Sequence, residues 1–152
     1  YGVELIARQR LVFLPGALKG FSVALSATFT ESDAKYPNRT DNRDLPLEGF
    51  SATLYTVTLD YVWRNFRARA DHRFRDDYIE GLGDDIESDE YFAARDVVDL
   101  EASYRLREGL ALYVELLNLT EEPLVSYQGY PQFVEDASYF GRKWTFGVEY
   151  EF

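Results

Sequence analysis

The chain of 152 residues has no cysteine, no methionine and a single histidine, His72. Without cysteine there is neither a disulfide framework nor a thiolate metal site. One histidine, with no His/Cys set at ligand spacing, leaves no metal centre to expect. No phosphate-cradling glycine loop or nucleophile elbow occurs either, so no cofactor, no catalytic residue and no enzymatic activity are expected. Also absent is any apolar run approaching about 18 residues, which excludes a membrane-spanning helix. It does not exclude membrane-spanning strands, whose alternation keeps mean hydropathy mild; here it is -0.34, with 28% charged residues. Positive charge is scarce: 16 Lys and Arg stand against 27 Asp and Glu, a formal net charge of -11. Nucleic acid needs a basic footprint, so it is excluded as a partner. The missing methionine means that Tyr1 is not a translation start, and no signal-peptide pattern follows it. The first residues already alternate like a strand, and the expectation is the tail of a longer chain.

What the sequence has in quantity is aromatic residues, at 16%, with 12 Tyr and 11 Phe. Tyr and Trp favour lipid–water boundaries, where they form girdles. They are arranged with period two in the last fourteen residues, 139–152. Phe140, Arg142, Trp144, Phe146, Val148, Tyr150 and Phe152 fall on one side, and Tyr139, Gly141, Lys143, Thr145, Gly147, Glu149 and Glu151 on the other. Period two is the side-chain period of a β-strand.

The same alternation predicts about seven strands, near 2–14, 21–32, 50–63, 66–78, 93–106, 110–119 and 139–152. In the second, Phe21, Val23, Leu25, Ala27 and Phe29 oppose Ser22, Ala24, Ser26, Thr28 and Thr30. In the fourth, Phe66, Ala68, Ala70, His72 and Phe74 oppose Arg67, Arg69, Asp71, Arg73 and Arg75. Short turns at 15–20, 64–65 and 107–109 alternate with long polar connections at 33–49, 79–91 and 120–137. Outer-membrane barrels alternate short periplasmic turns with long external loops. A soluble β-sandwich has no reason to do so. The strands are also longer than those usual in soluble sheets. Seven is an awkward number, because single-chain bacterial barrels have even counts and an open edge in hydrocarbon leaves backbone groups unpaired. Further strands are therefore expected, from the same protein or from other copies.

The pieces together resemble the C-terminal portion of a TonB-dependent outer-membrane receptor. The resemblance rests on Leu11-Val-Phe-Leu-Pro-Gly-Ala-Leu-Lys-Gly-Phe21, Ala27-Thr-Phe-Thr-Glu-Ser32, Leu45-Pro46, Arg95-Asp-Val-Val-Asp-Leu100, Leu112-Tyr-Val-Glu-Leu-Leu-Asn-Leu-Thr-Glu-Glu-Pro123, Tyr127-Gln-Gly129, Gly141-Arg142 and the terminal Phe152, in that order. It implies an all-β, antiparallel transmembrane β-barrel. Residues 1–152 would be about seven C-terminal strands of roughly 22, with the plug domain and N-terminal strands lying outside this sequence. It implies TonB-energised uptake of a scarce nutrient, such as an iron-siderophore complex, across the bacterial outer membrane. The partners implied are membrane lipid, the plug and remaining strands, TonB through the missing part, a small nutrient ligand, and the barrel-assembly machinery. That machinery would read Phe146, Val148, Tyr150 and Phe152. A non-energised porin-like barrel is the alternative, and a soluble β-sandwich binding module a further one.

Candidate ligand contacts are Arg67, Arg69, Arg73 and Arg75, whose guanidinium forks match carboxylates, and the loop aromatics Tyr127, Tyr130 and Phe133. The plainer reading of the arginine stripe is an ion-pair ladder with Asp60, Asp99 and Glu101 on adjacent strands; that of the aromatics is a loop packed on itself. The acidic run 83–90 is expected to be a solvated loop. His72 is expected on the lipid face.

Overall fold

The computed structural model describes residues 1–41 and 43–151. Its strands are β1 Gly2–Arg10, β2 Phe21–Thr30, β3 Ala34–Lys35, β4 Asp44–Leu45, β5 Thr53–Trp63, β6 Phe66–Arg75, β7 Tyr78–Gly81, β8 Glu90–Phe92, β9 Arg95–Arg107, β10 Leu110–Leu117, β11 Leu124–Gln128, β12 Val134–Ser138 and β13 Lys143–Tyr150. The protein is all-β, and every pairing is antiparallel.

The seven long strands form one sheet in the order β1-β2-β5-β6-β9-β10-β13, each next to its sequence neighbour among the long strands. These are the seven segments that alternation predicts. The register keeps their faces in phase. Across one row Val23 pairs with Leu59, Leu59 with Ala70, Ala70 with Leu100, Leu100 with Leu116 and Leu116 with Trp144. An adjacent row on the opposite face runs Ser22, Asp60, Arg69, Glu101, Glu115 and Thr145. The result is one polar face and one face apolar across six strands in this row; on β1 Gln9 stands beside Val23, while Val3, Leu5 and Ala7 continue the apolar face.

The apolar face is ordered along the strands as well. Phe29, Tyr55, Phe74 and Trp144 lie toward the long connections. Phe21, Tyr61, Trp63, Phe66, Tyr104 and Tyr150 lie toward the short turns. Between them sit mostly aliphatic residues such as Leu25, Val57, Leu59, Val98, Leu100 and Val114. The aromatic rows are oblique. Followed through the register, Trp144 aligns with Val23 on β2, six positions before Phe29. Six residues rise about 20 Å while five strand spacings cover about 24 Å, a slope of about 40°. Bulky side chains on this face stay open to the surroundings on the edge strand β13, where Phe146 is 71% exposed and Trp144 56%, and are half-buried at Trp63, Tyr55 and Phe74.

β1 ends at Arg10, four residues short of the predicted boundary. Leu14 N–H turns back to Leu11 O at 3.1 Å, Pro15 has no N–H to offer a ladder, and Gly16–Gly20 makes a turn of 3-10 helix. The two-residue turn at Arg64-Asn65 uses a left-handed Arg64, φ 53°. The β9–β10 turn uses Gly109, φ 69°, beside a bulge at Leu110/Ala111, a common glycine-assisted hairpin.

The long connections differ more from expectation. They are not simple loops but hold a four-stranded sheet, β12-β11-β8-β7, and the β3-β4 pair. Buried apolar residues Leu45, Ile79 and Tyr127 belong to these connections.

Candidate functional site

On the polar face β6 presents its arginines to β5 and β9. Arg69 Nε lies 3.3 Å from Asp60 Oδ1 and 3.5 Å from Asp71 Oδ2. Thr58 Oγ1 donates to Asp71 Oδ1 at 2.5 Å. Arg73 pairs with Asp99, whose other oxygen accepts the Asn118 N–H at 2.8 Å. Thr58 and Asp99 are buried beneath this lattice. The ladder with Asp60 and Asp99 is thus present. Arg75, at the end nearer the long connections, places its guanidinium 4.5 Å above the Tyr78 ring instead. Arg67, nearer the short turns, lines a concavity of about 600 Å³ with Arg69, Glu101, Tyr113 and Glu115. A second concavity, about 490 Å³, lies toward the long connections and contains Arg73 and Arg75.

The predicted loop aromatics line different space. Tyr127 is buried, with its ring stacked on Tyr91 at 5.1 Å and nearly parallel. Its Oη donates to Asp77 Oδ2 at 2.9 Å. Burial and that carboxylate push the phenol well above its ordinary pKa. Tyr130 and Phe133 meet edge to face at 6.4 Å. They border an open cleft of about 560 Å³ with Glu87, Gln128 and Gln132. Both are exposed, as is Tyr139.

A cluster that sequence reasoning passed over fastens two long connections together. Arg39 donates from Nη1 to Asp89 Oδ1 at 2.5 Å and from Nη2 to Asp89 Oδ2 at 3.0 Å. It also donates from Nε to Asp41 Oδ1 at 3.0 Å, from Nη2 to Asp41 Oδ2 at 2.7 Å and from Nη1 to Gly83 O at 3.2 Å. Asp89 Oδ1 also accepts the Gly83 N–H at 2.9 Å, and Asp89 has no exposed surface. The acidic run expected to be solvated therefore contributes one fully buried member. Its twin hydrogen bonds are the strong, geometry-specific kind. The bonds to Asp41, and after them those to Asp89, raise the Arg39 pKa, and the bonds from Arg39 push Asp41 down to about 2. Sequence spacing of 50 residues gave no signal for this pair.

Phe146, Val148 and Tyr150 lie on the apolar face, paired with Val114, Leu112 and Leu110. Phe152 lies outside the described residues. His72 sits on the same face, between Val57 and Val98 in the register, with Nε2 2.5 Å from Asp96 Oδ1. Asn118 is buried in a left-handed conformation, φ 54°, and donates its amide to Glu122 O and Gly141 O, each at 3.1 Å. Among the described residues no group of three or more His, Cys, Asp or Glu has the arrangement to hold a metal ion. No protein-family model, no curated protein and no solved structure matches the chain.

Proposed function

We propose that the chain is the C-terminal part of the barrel of a TonB-dependent receptor in the bacterial outer membrane, and that the protein takes up a scarce nutrient such as an iron-siderophore complex. The observation that carries the membrane reading is the two-faced seven-stranded meander with an exposed apolar side. A contiguous apolar surface of this breadth belongs against lipid or a partner rather than water. Two aromatic rows bound it, and the slope of about 40° along the row from Phe29 to Trp144 falls within the strand tilt of outer-membrane barrels. The long connections gather at one end and the short turns at the other, as external loops and periplasmic turns do. The edges at β1 and β13 call for further strands, because an unpaired edge in hydrocarbon is costly.

In this reading the apolar face meets lipid, and the face bearing Arg67, Arg69, Arg73 and Arg75 lines the lumen opposite the plug. Tyr130 and Phe133 offer exposed rings for ligand contact at the outer mouth. The Phe146, Val148, Tyr150 and Phe152 stripe is the assembly signal. Energy would enter through TonB and parts of the protein outside this sequence. A porin-like barrel shares every one of these features except the resemblance in the quoted motifs. The exposed apolar face counts against the soluble sandwich.

The intact mass of the native protein, taken from outer membranes with an antibody to the C-terminal peptide, tests the proposal. A mass several times 17.6 kDa is expected. A mass near 17.6 kDa, or recovery only from the soluble fraction, overturns it.

A further inference from the structure

We infer that Arg75 and Arg95 form a binding site for an oxyanion, a carboxylate or phosphate group carried by a small molecule. The two residues sit directly opposite each other on β6 and β9. Like charges in that position repel. The Nε atoms of both are buried and have no hydrogen-bond partner. Buried N–H groups in folded proteins are nearly always paired, so two such orphans at one register position ask for an acceptor.

No side chain in the wall accepts from either Nε. Both arginines line the concavity of about 490 Å³ together with Arg73, Thr28, Thr56 and Asn118. Asp99 is also in its wall, but its oxygens are taken by Arg73 and by the Asn118 N–H. Three guanidinium groups against one carboxylate leave an excess of two positive charges, in a chain whose net charge is -11. The Tyr78 ring beneath Arg75 holds its guanidinium plane, so less side-chain freedom is lost on binding. An arginine edge presents parallel N–H donors spaced for two oxygens of one carboxylate or phosphate. The hydroxyls of Thr28 and Thr56 add neutral donors, and the volume is that of a small-molecule site. The inference uses one face of the sheet and holds whether the other face meets lipid or not.

Isothermal titration of the purified protein with inorganic phosphate, and separately with citrate, at low ionic strength tests it. Saturable binding of at least one probe is expected. It should weaken at least tenfold in Arg75→Gln and in Arg95→Gln and stay unchanged in Arg105→Gln, which alters the same face near the short turns. Arg95→Lys keeps the charge but loses the fork and should fall between. Thermal unfolding separates binding from folding. Arg95→Gln without anion should unfold at or above the wild-type temperature, because a repulsion is gone. Phosphate should raise the Tm of the wild type and not of the variant. No saturable binding of either probe, equal affinity in Arg95→Gln and Arg105→Gln, or a Tm of Arg95→Gln well below wild type would each overturn the inference. A need for detergent bears only on the membrane reading, so the two proposals fail separately.

Discussion

The seven-stranded sheet and the small sheet of the long connections are built for different surroundings. In the large sheet the bulky apolar residues point outward: Phe146, Val148 and Trp144 are more than half exposed. Its opposite face buries a polar lattice, Thr58 with Asp71 and Asp99 with Arg73. The connections follow the usual aqueous order. Ile79 and Tyr127 are buried, and the one fully buried charge, Asp89 among the described residues, is answered by Arg39. One chain thus carries an inside-out sheet beside a conventionally packed one. The difference teaches that burial by its own atoms does not decide the orientation of the large sheet; the surroundings must.

The largest expected effect breaks the conventionally packed half. Asp89→Ala leaves the buried Arg39 guanidinium with Asp41 and the Gly83 carbonyl only, and the Gly83 N–H loses its acceptor. Opening one side of a buried pair costs about 3–5 kcal/mol. The cost should stay local. Limited proteolysis should cut within 33–49 or 79–91 first, while far-UV circular dichroism keeps the signal of the long strands. Equal loss in both regions would mean that the two sheets fold as one unit.

Next in size is the test of the inside-out half. Phe146→Asp puts a charge on the apolar face of β13, and Thr145→Asp puts one on the polar face one residue away. On a lipid face the charge costs on the order of 1–4 kcal/mol according to depth. Phe146→Asp should cripple outer-membrane assembly, followed as the heat-modifiable band on gels, and Thr145→Asp should be milder. Equal effects would count against the faces. A smaller effect belongs to Gly147, over which the Tyr113 ring lies on the polar face; a Cβ there would clash with the Tyr113 ring. Gly147→Val should lower stability by about 1–3 kcal/mol through overpacking. Tyr113→Ala in the same chain should recover part of it, as a double-mutant cycle in urea would register.

The large sheet was legible in the sequence because a two-residue period sustained over eight or more residues repeats often enough to stand out. Turn residues mark where it stops. It misled at strand ends: at β1, where Leu11 and Phe13 continue the alternation into a segment that the chain needs for its turn, at β13, which starts at Lys143 and not at 139, and by three residues at the start of β5 and the end of β6. The strands of the long connections are two to five residues each, too short for any period to show. The arginine stripe was visible because it lies on one strand. Arg95, opposite Arg75, and the Arg39–Asp89 clasp were not, because each is made by register or by chain closure between distant segments. Tyr127 was singled out as an aromatic on a loop; the stacking on Tyr91 and the bond to Asp77 are tertiary facts that no local pattern carries.

The smallest effect sharpens the comparison through pH. Asp41 is held at about 2, below its ordinary 3.8, chiefly by the hydrogen bonds from Arg39. A carboxylate depressed in the folded state adds stability that is complete above its unfolded pKa and is lost as pH falls through the folded value. The clasp should therefore be intact above about pH 4 and loosen between about pH 4 and pH 2. Hydrogen-exchange protection of the Thr40 N–H, which donates to Asp84 O at 2.8 Å, reports on it directly. Protection at Thr40 should fall through that window, while amides in the β5–β6 ladder hold theirs. Asp41→Asn removes the titrating group and should flatten the pH dependence at Thr40. If the ladder amides lose protection in step with Thr40, the clasp and the large sheet share one opening event, and the division between the two sheets fails at its weakest joint.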